Sequence, residues 1–521
     1  MMDLSRVIGF LQVYPLGIPV FYWEKGGKSM ESITQVIASV NGVVNNFVWG
    51  LPMLILLVGT GILMTVLTKF FQISHFGHWF KNTIGSIFSD KHVTAHTGKS
   101  DKSISQFQSL CTALAATIGT GNIAGVAAAI AAGGPGAIFW MWIVAIFGMM
   151  TNYSENVLGI YYRRKNKVGE WSGGAMYYLK DGLGGYRGCK QIGAILAVLF
   201  SCFCVLASFG IGNMSQINSI ATNMDAVFHI PMWVTGLFLT VIAALVVVGG
   251  LKRIASVTEK LVPFMAIAYV IGALIIVFAN FGQIGAAFTA IFKGAFAMKA
   301  VGGGIVGSGV KMAVTWGMKR GVFSNEAGLG SSVMVHSNSN VKEPVVQGMW
   351  GIFEVFTDTI IVCTLTALTV LTSGLVDLNT GAMLTGAEKT AMVAEAFSGT
   401  FGPAGSAFIA IAILLFAFST VLGWSHYGTK AFEYLFGTGA TIIYKVIFVL
   451  FIMVGATMSL DLAWDLSDTF NGLMAIPNLI GVLSLSGTVV AITRNYVRRT
   501  LKGEDIAPMQ SVFEKAEQES K

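Results

Sequence analysis

The chain has 521 residues, of which 54% are hydrophobic and 11% charged. Water-soluble domains carry roughly a quarter charged residues, so the composition excludes a soluble globular protein and indicates an integral membrane protein. The formal net charge of +7 comes from basic residues in loops between apolar stretches, where such charges set membrane orientation rather than bind nucleic acid.

Residues 1–45 read as an N-terminal extension outside the membrane, in which 7–23, interrupted by Pro15 and Pro19, resembles an interfacial segment more than a cleavable signal. Apolar stretches long enough to span follow at 46–68, 108–131, 137–162, 191–222, 231–250 and 256–279. Others lie at 306–335, 345–373, 404–435, 440–458 and 469–494. The reading is an all-α membrane protein of about eleven spans at about 20 residues each. Residues 46–499 form a single transmembrane domain, 283–300 an amphipathic segment, and 500–521 a C-terminal tail. Cys111, Cys189, Cys202, Cys204 and Cys363 form no C-x-x-C pair, and no disulfide framework is expected.

The loops alternate in charge. Segment 69–103 carries Lys69, Lys81, Lys91, Lys99 and Lys102; 163–190 carries Arg163, Arg164, Lys165, Lys167, Lys180, Arg187 and Lys190. Lys252, Arg253 and the tail residues Arg494, Arg498, Arg499 and Lys502 continue the pattern, whereas 223–230 and 459–468 hold no Lys or Arg. The basic loops and the C-terminus are therefore expected in the cytoplasm.

Residues 115–125, Ala-Ala-Thr-Ile-Gly-Thr-Gly-Asn-Ile-Ala-Gly, interrupt the second span with poor helix formers. Backbone unwinds at membrane depth only where protein, water, an ion or a substrate satisfies its polar groups. The amides at such a break suit a carboxylate, and upstream carbonyls, for example those of Ala115 and Ile118, suit a cation. A glycine-rich packing face, with Gly121 and Gly125 as a GxxxG pair, is the competing reading. Asn213 and Gln216 in the span 191–222 can bridge helices.

A second break, Phe323-Ser-Asn-Glu-Ala-Gly328, falls in the seventh span. Phe323 can wall an apolar pocket, and Ser324, Asn325 and Glu326 bring polarity to membrane depth. Glu326 can contact a ligand directly or brace the break by pairing with Lys319 or Arg320. Glu354 and Asp358, one turn apart, are assigned to the same pairing in preference to a proton relay. Ser419 and Thr420 can supply hydroxyl ligands to a cation, with Trp424 one turn on, although such hydroxyls commonly bond back to the i−4 carbonyl. The loop charges make the two broken spans antiparallel, the pattern of an inverted repeat with the first span outside it. His75, His78, His92 and His96 have metal-compatible spacings but lie in a loop without cysteine, where solvated histidines are expected. No phosphate-binding G-x-x-x-x-G-K-[ST] loop occurs.

The runs Gly119-Thr-Gly-Asn-Ile-Ala-Gly125, Gly133-Gly-Pro-Gly-Ala137 and Phe139-Trp-Met141 closely resemble the alanine or glycine:cation symporter family. So do Gly212-Asn-Met214 with Gln216, Arg320-Gly-Val-Phe-Ser-Asn-Glu-Ala-Gly328, and Phe418-Ser-Thr420 with Gly423-Trp-Ser425. The resemblance covers about Asn45 to Arg499 and implies a leucine-transporter-like 5+5 inverted repeat with two discontinuous helices and one extra N-terminal helix. It implies sodium-coupled uptake of alanine or glycine across a bacterial inner membrane, with Na+ as coupling ion and no organic cofactor. In that reading the substrate is held by Thr120, Gly121, Asn122, Gln216, Phe323, Ser324, Ala327 and Trp424, with amides near Thr120 and Gly121 on its carboxylate. Sodium is held by the carbonyls of Ala115, Ile118 and Phe416 and the hydroxyls of Ser419 and Thr420. A monomer suffices for this function. Glutamine as substrate and proton as coupling ion remain variants. An ion channel and a membrane enzyme rank lower, because neither a repeated filter motif nor a catalytic motif is evident.

Overall fold

The computed structural model describes residues 27–98, 101–296, 308–457 and 461–513, and they are mostly helical. Residues 1–26, Lys99, Lys299 and the start of the span expected at 306–335 lie outside this set. Seven helices are long and apolar enough to cross a membrane, or up to nine when two bent pairs each count as one span. The bent pairs are Gln106–Thr117 with Gly121–Gly133, at 52°, and Asp465–Ser484 with Ser486–Leu501, at 57°. The expected spans 231–250 and 306–335 correspond to shorter helices, Met232–Val247 and Ser308–Asn325. The second is short because helical structure stops where glycines and polar residues crowd the sequence after Asn325.

The N-terminal region differs from expectation. A helix occupies Gly27–Val48, and the apolar span extends over Gln35–Leu67 instead of beginning at 46. Its outward residues Val36, Val40, Val43 and Phe47 are exposed in the protein, as are Phe238, Phe264, Ile267 and Phe278 on other spans. In lipid, such a surface is solvated by hydrocarbon, so it carries no penalty there.

Hydrophobic burial does not distinguish protein contacts from lipid contacts, so helix packing depends on shape and polar pairing. Helices Gly136–Tyr161 and Pro344–Val355 illustrate this. A Cβ added at Gly348 would lie 2.7 Å from the Tyr153 ring, and one at Gly351 would lie 2.3 Å from Asn152 Oδ1. The same helix meets the second broken region, where a Cβ at Gly159 would lie 2.2 Å from Val333 Cγ2. The segment expected to be amphipathic forms a helix at Ile284–Phe296, which packs on Gly136–Tyr161 through Phe139, Phe292 and Phe296. Trp140 Nε1 donates to the Ala295 carbonyl at 3.1 Å.

Candidate functional site

Two interruptions build the centre of the molecule. Helix Gln106–Thr117 opens on a reciprocal cap, Ser105 with Gln108, and ends at Ile118, whose φ of −78° and ψ of 89° leave the helical region. The chain resumes as a widened π turn at Gly121–Gly125 and continues to Gly133. The second interruption is displaced from the expected 323–328. Ser324 and Asn325 still belong to helix Ser308–Asn325, and the irregular stretch begins at Glu326. Glu326 adopts φ 55°, a left-handed conformation that a non-glycine residue rarely holds, and Gly328 and Gly330 follow at 94° and 73°. A four-residue helix, Val333–His336, closes the region.

Around the first interruption, oxygens converge from two helices. Thr420 Oγ1 is 3.1 Å from the Ala115 carbonyl and 3.1 Å from the Phe416 carbonyl. Ser419 Oγ is 3.3 Å and 2.8 Å from the same two carbonyls. The i−4 back-bond of Thr420 to Phe416 is therefore present, but both hydroxyls also reach the other helix. Sequence reasoning placed Ile118 in the same set; it is buried at the helix end three residues past Ala115. This donor set is made of hard oxygens without a formal charge, which fits a monovalent cation.

Thr420 joins the oxygen cluster to a small cavity of about 20 Å³, slightly above the space one water requires. Gly119, Gly121, Gln216, Phe323, Thr420 and Trp424 line it. A Cβ at Gly119 would lie 2.5 Å from Thr420 Oγ1, and one at Gly212 would lie 2.4 Å from Trp424 Cγ. Glycine is required at both positions by this close approach. Gln216 Oε1 lies 3.4 Å from the Thr120 amide. Thr120 lines a larger cavity of about 610 Å³, which reaches Gly121 and Phe323 from the opposite side. Phe323 thus separates the small cavity from an open vestibule.

Three residues assigned to the substrate point elsewhere. Ala327 packs toward Gly148, where an added Cβ would be 3.1 Å away, because the left-handed turn at Glu326 rotates the chain. Glu326 lines the cavity in its place. Asn122 and Ser324 turn to the back of the cavity and bind Asp358. Asn471 and Ile211 also line the cavity and were missed. Asn471 Oδ1 is buried and has no hydrogen-bond partner among the described residues. The sequence offered little signal, because Asn471 shares its span with a second amide, Asn478, and follows three aspartates.

The expected ion pairs also rearrange. Lys319 Nζ lies 2.8 Å from Asp468 Oδ2 in the vestibule, and Arg320 stacks 5.3 Å from the Trp316 ring and 5.5 Å from the Phe323 ring. Neither pairs with Glu326, Glu354 or Asp358 among the described residues. Glu326 accepts from Ser331 Oγ at 2.5 Å and from the Trp424 side chain. Glu354 Oε2 meets His336 Nε2 at 2.9 Å. The loop histidines take separate partners, with His78 beside Tyr496 and His96 beside Glu259. Burial lowers the pKa of His75 and His78 below the ordinary imidazole value.

Away from the vestibule, Arg163 ties a hairpin to the second broken region. A short hairpin pairs Arg164–Lys165 with Trp171–Ser172. The buried Arg163 donates to the carbonyls of Ser339 and Val341, each at 2.6 Å, just beyond helix Val333–His336. The hairpin reaches helix Pro403–Phe436 through Ser172 Oγ, 2.9 Å from Glu433 Oε1. Lys430 Nζ is 3.0 Å from Glu433 Oε2.

A profile of the sodium:alanine symporter family matches residues 33–510. The sodium/alanine symporter AgcS of Methanococcus maripaludis is 47% identical over 458 residues, 88% of this chain and 97% of that relative. The probable sodium/glutamine symporter GlnT of Bacillus subtilis is 34% identical over 473 residues, 90% of this chain and 93% of the relative. Among solved structures, that of MhsT in complex with L-phenylalanine is similar with a TM-score of 0.51 at 13% identity, over 76% of this chain and 99% of that one. That likeness concerns the fold alone.

Proposed function

We infer, from the premise that the chain belongs to the sodium:alanine symporter family, that it carries a small neutral amino acid, alanine or glycine, into the cell with sodium. Membership makes it a multi-pass membrane transporter and not an enzyme. The observation that carries the finer reading is the shared Thr420. Thr420 lines the cavity beside Gly119 and Gly121, and its hydroxyl also meets the Ala115 and Phe416 carbonyls that Ser419 reaches. A cation there and a carboxylate on the amides near Thr120 and Gly121 attract each other, so each favours the same conformer. Differential affinity of this kind is the energetic basis of coupled transport.

In this reading the first repeat begins with the broken span at Gln106 and the second with Ser308–Asn325, and the helix before residue 68 stands outside both. The vestibule faces outward, the Arg163 hairpin lies on the cytoplasmic side with the basic loops and the tail, and the membrane is the bacterial cytoplasmic one. Phe323 is the outer gate. Asn471 Oδ1 and Glu326 offer acceptors for the substrate ammonium, and Trp424 with Phe323 encloses its side chain. The test is uptake of labelled alanine, glycine and glutamine into proteoliposomes with and without a sodium gradient. Gradient-independent uptake, or amino-acid-independent current, would refute this function.

A further inference from the structure

A cavity of about 210 Å³ lies where the span Gln35–Leu67 and the bent pair Asp465–Ser484 with Ser486–Leu501 end side by side. It shares no residue with the site described above. Four bases line it, Lys69, Arg494, Arg498 and Lys502, and no Asp or Glu does. The Arg498 guanidinium is held by Glu504, whose Oε2 lies 2.6 Å from Nε. The side chains of Lys69, Arg494 and Lys502 make no hydrogen bond or salt bridge among the described residues. His75, the remaining titratable group at the cavity, sits against Phe71 and Ser74, and burial favours its neutral form. Three of the four bases are thus left without a counter-charge.

The local backbone builds this arrangement. Helix Leu51–Leu67 stops at Thr68, and Lys69 and Phe70 follow at φ 58° and 57°, left-handed values that residues other than glycine rarely hold. They turn the chain into a run of short helical turns over 71–89. Phe71, Gln72 and Trp79 are buried in the protein, whereas Phe70, Ile73, Phe76 and Phe80 are 41–61% exposed. A segment with one exposed apolar face at the end of a spanning helix suits the membrane interface. The spans end where hydrocarbon gives way to headgroups. The bases therefore stand at headgroup level, with the exposed rings beside the acyl chains.

Bases that only orient a chain in the membrane are spread along its loops, as the exposed Lys81 and Lys91 are. Here unpaired bases from position 69 and from 494–502 converge on one cavity. Phosphodiester oxygens supply the counter-charge that the protein does not, and basic pockets between spanning helices are suited to such headgroups.

We propose that this cavity binds the headgroup of an anionic phospholipid, with its phosphodiester among Lys69, Arg494 and Lys502 and its acyl chains along Phe70, Ile73 and Phe76. The lipid ties the first span, which stands outside the proposed repeat, to the last. The site is independent of the sodium-symport reading.

The test is native mass spectrometry of the full-length protein in detergent, titrated with phosphatidylglycerol or with phosphatidylcholine of the same acyl chains, beside thermal unfolding. One phosphatidylglycerol is expected to be retained about tenfold more tightly than phosphatidylcholine, and to raise the melting temperature. Lys69→Gln and Arg494→Gln are each expected to weaken its retention about fivefold, the effect of one base at a membrane surface. Lys91→Gln, in a basic segment away from the cavity, is expected to leave retention unchanged. All three side chains are exposed, so melting without added lipid should stay near native. Equal retention of the two lipids, unchanged retention in both cavity variants, or a loss in Lys91→Gln as large as theirs overturns the proposal. So does glycerol 3-phosphate binding as tightly as phosphatidylglycerol, which would make the occupant a soluble phosphate.

Discussion

Thr420→Ala separates a cation ligand from a packing hydroxyl. Thr420 Oγ1 lies 3.1 Å from both the Ala115 and the Phe416 carbonyl. Ser419 Oγ also reaches both carbonyls, so neither is orphaned when the Thr420 hydroxyl is removed. The loss then amounts to an ordinary net hydrogen bond, about 0.5–1.5 kcal/mol of stability. With sodium bound, the same oxygen faces a full charge, and interactions with charged groups are worth roughly 1.5–3 kcal/mol. That range converts to roughly a 10- to 150-fold rise in half-saturating sodium. Thr420→Ser keeps the oxygen and should remain near native. The assay is alanine uptake titrated with sodium, beside thermal unfolding of the detergent-solubilised protein with and without sodium. Half-saturation within twofold of native, with a lowered melting temperature, would refute the ligand assignment and leave a packing role.

Gly119→Ala should mimic this loss, because its Cβ would lie 2.5 Å from Thr420 Oγ1; overpacking adds about 1–3 kcal/mol of destabilisation. Combined with Thr420→Ala the two should be non-additive in sodium titrations, since they disturb one contact. Trp424→Phe should admit larger amino acids as competitors of alanine uptake, and unchanged selectivity would remove Trp424 from the pocket. Asn471→Leu removes a buried acceptor that lacks a partner, so melting should hold or rise while the KM for alanine increases about tenfold. Arg163→Ala strands the Ser339 and Val341 carbonyls, at a cost of about 1–3 kcal/mol, and loosens the tie between the hairpin and the second broken region. Alanine efflux should accelerate relative to influx; an unchanged ratio would leave Arg163 a purely structural role.

Both helix breaks were visible in sequence because poor helix formers at membrane depth violate a local rule. The pairing of Ser419 and Thr420 as hydroxyl donors was visible for a similar reason, since two adjacent polar groups stand out in an apolar span. Ala327 and Glu326 were harder to assign. Which of two neighbours faces a cavity depends on one backbone angle, φ 55° at Glu326, and nothing in the residue types announces it. The buried acids were paired with the nearest bases in sequence, whereas Lys319 meets Asp468, 149 positions away. Asn471 reaches the cavity from the far end of the chain and has no motif to mark it.

Membrane spans, loop charge and interrupted helices are short-range properties: each follows from a few tens of consecutive residues partitioning between lipid and water. These the sequence determined by itself, along with the resemblance that placed the family. Tertiary structure alone decided which oxygens converge around Thr420, which bases the buried acids lack, and which carbonyls Arg163 holds. Those outcomes turn on distances of about 3 Å between segments hundreds of residues apart, and hydrogen bonds and ion pairs fall off too steeply to be read from anything but the packed arrangement.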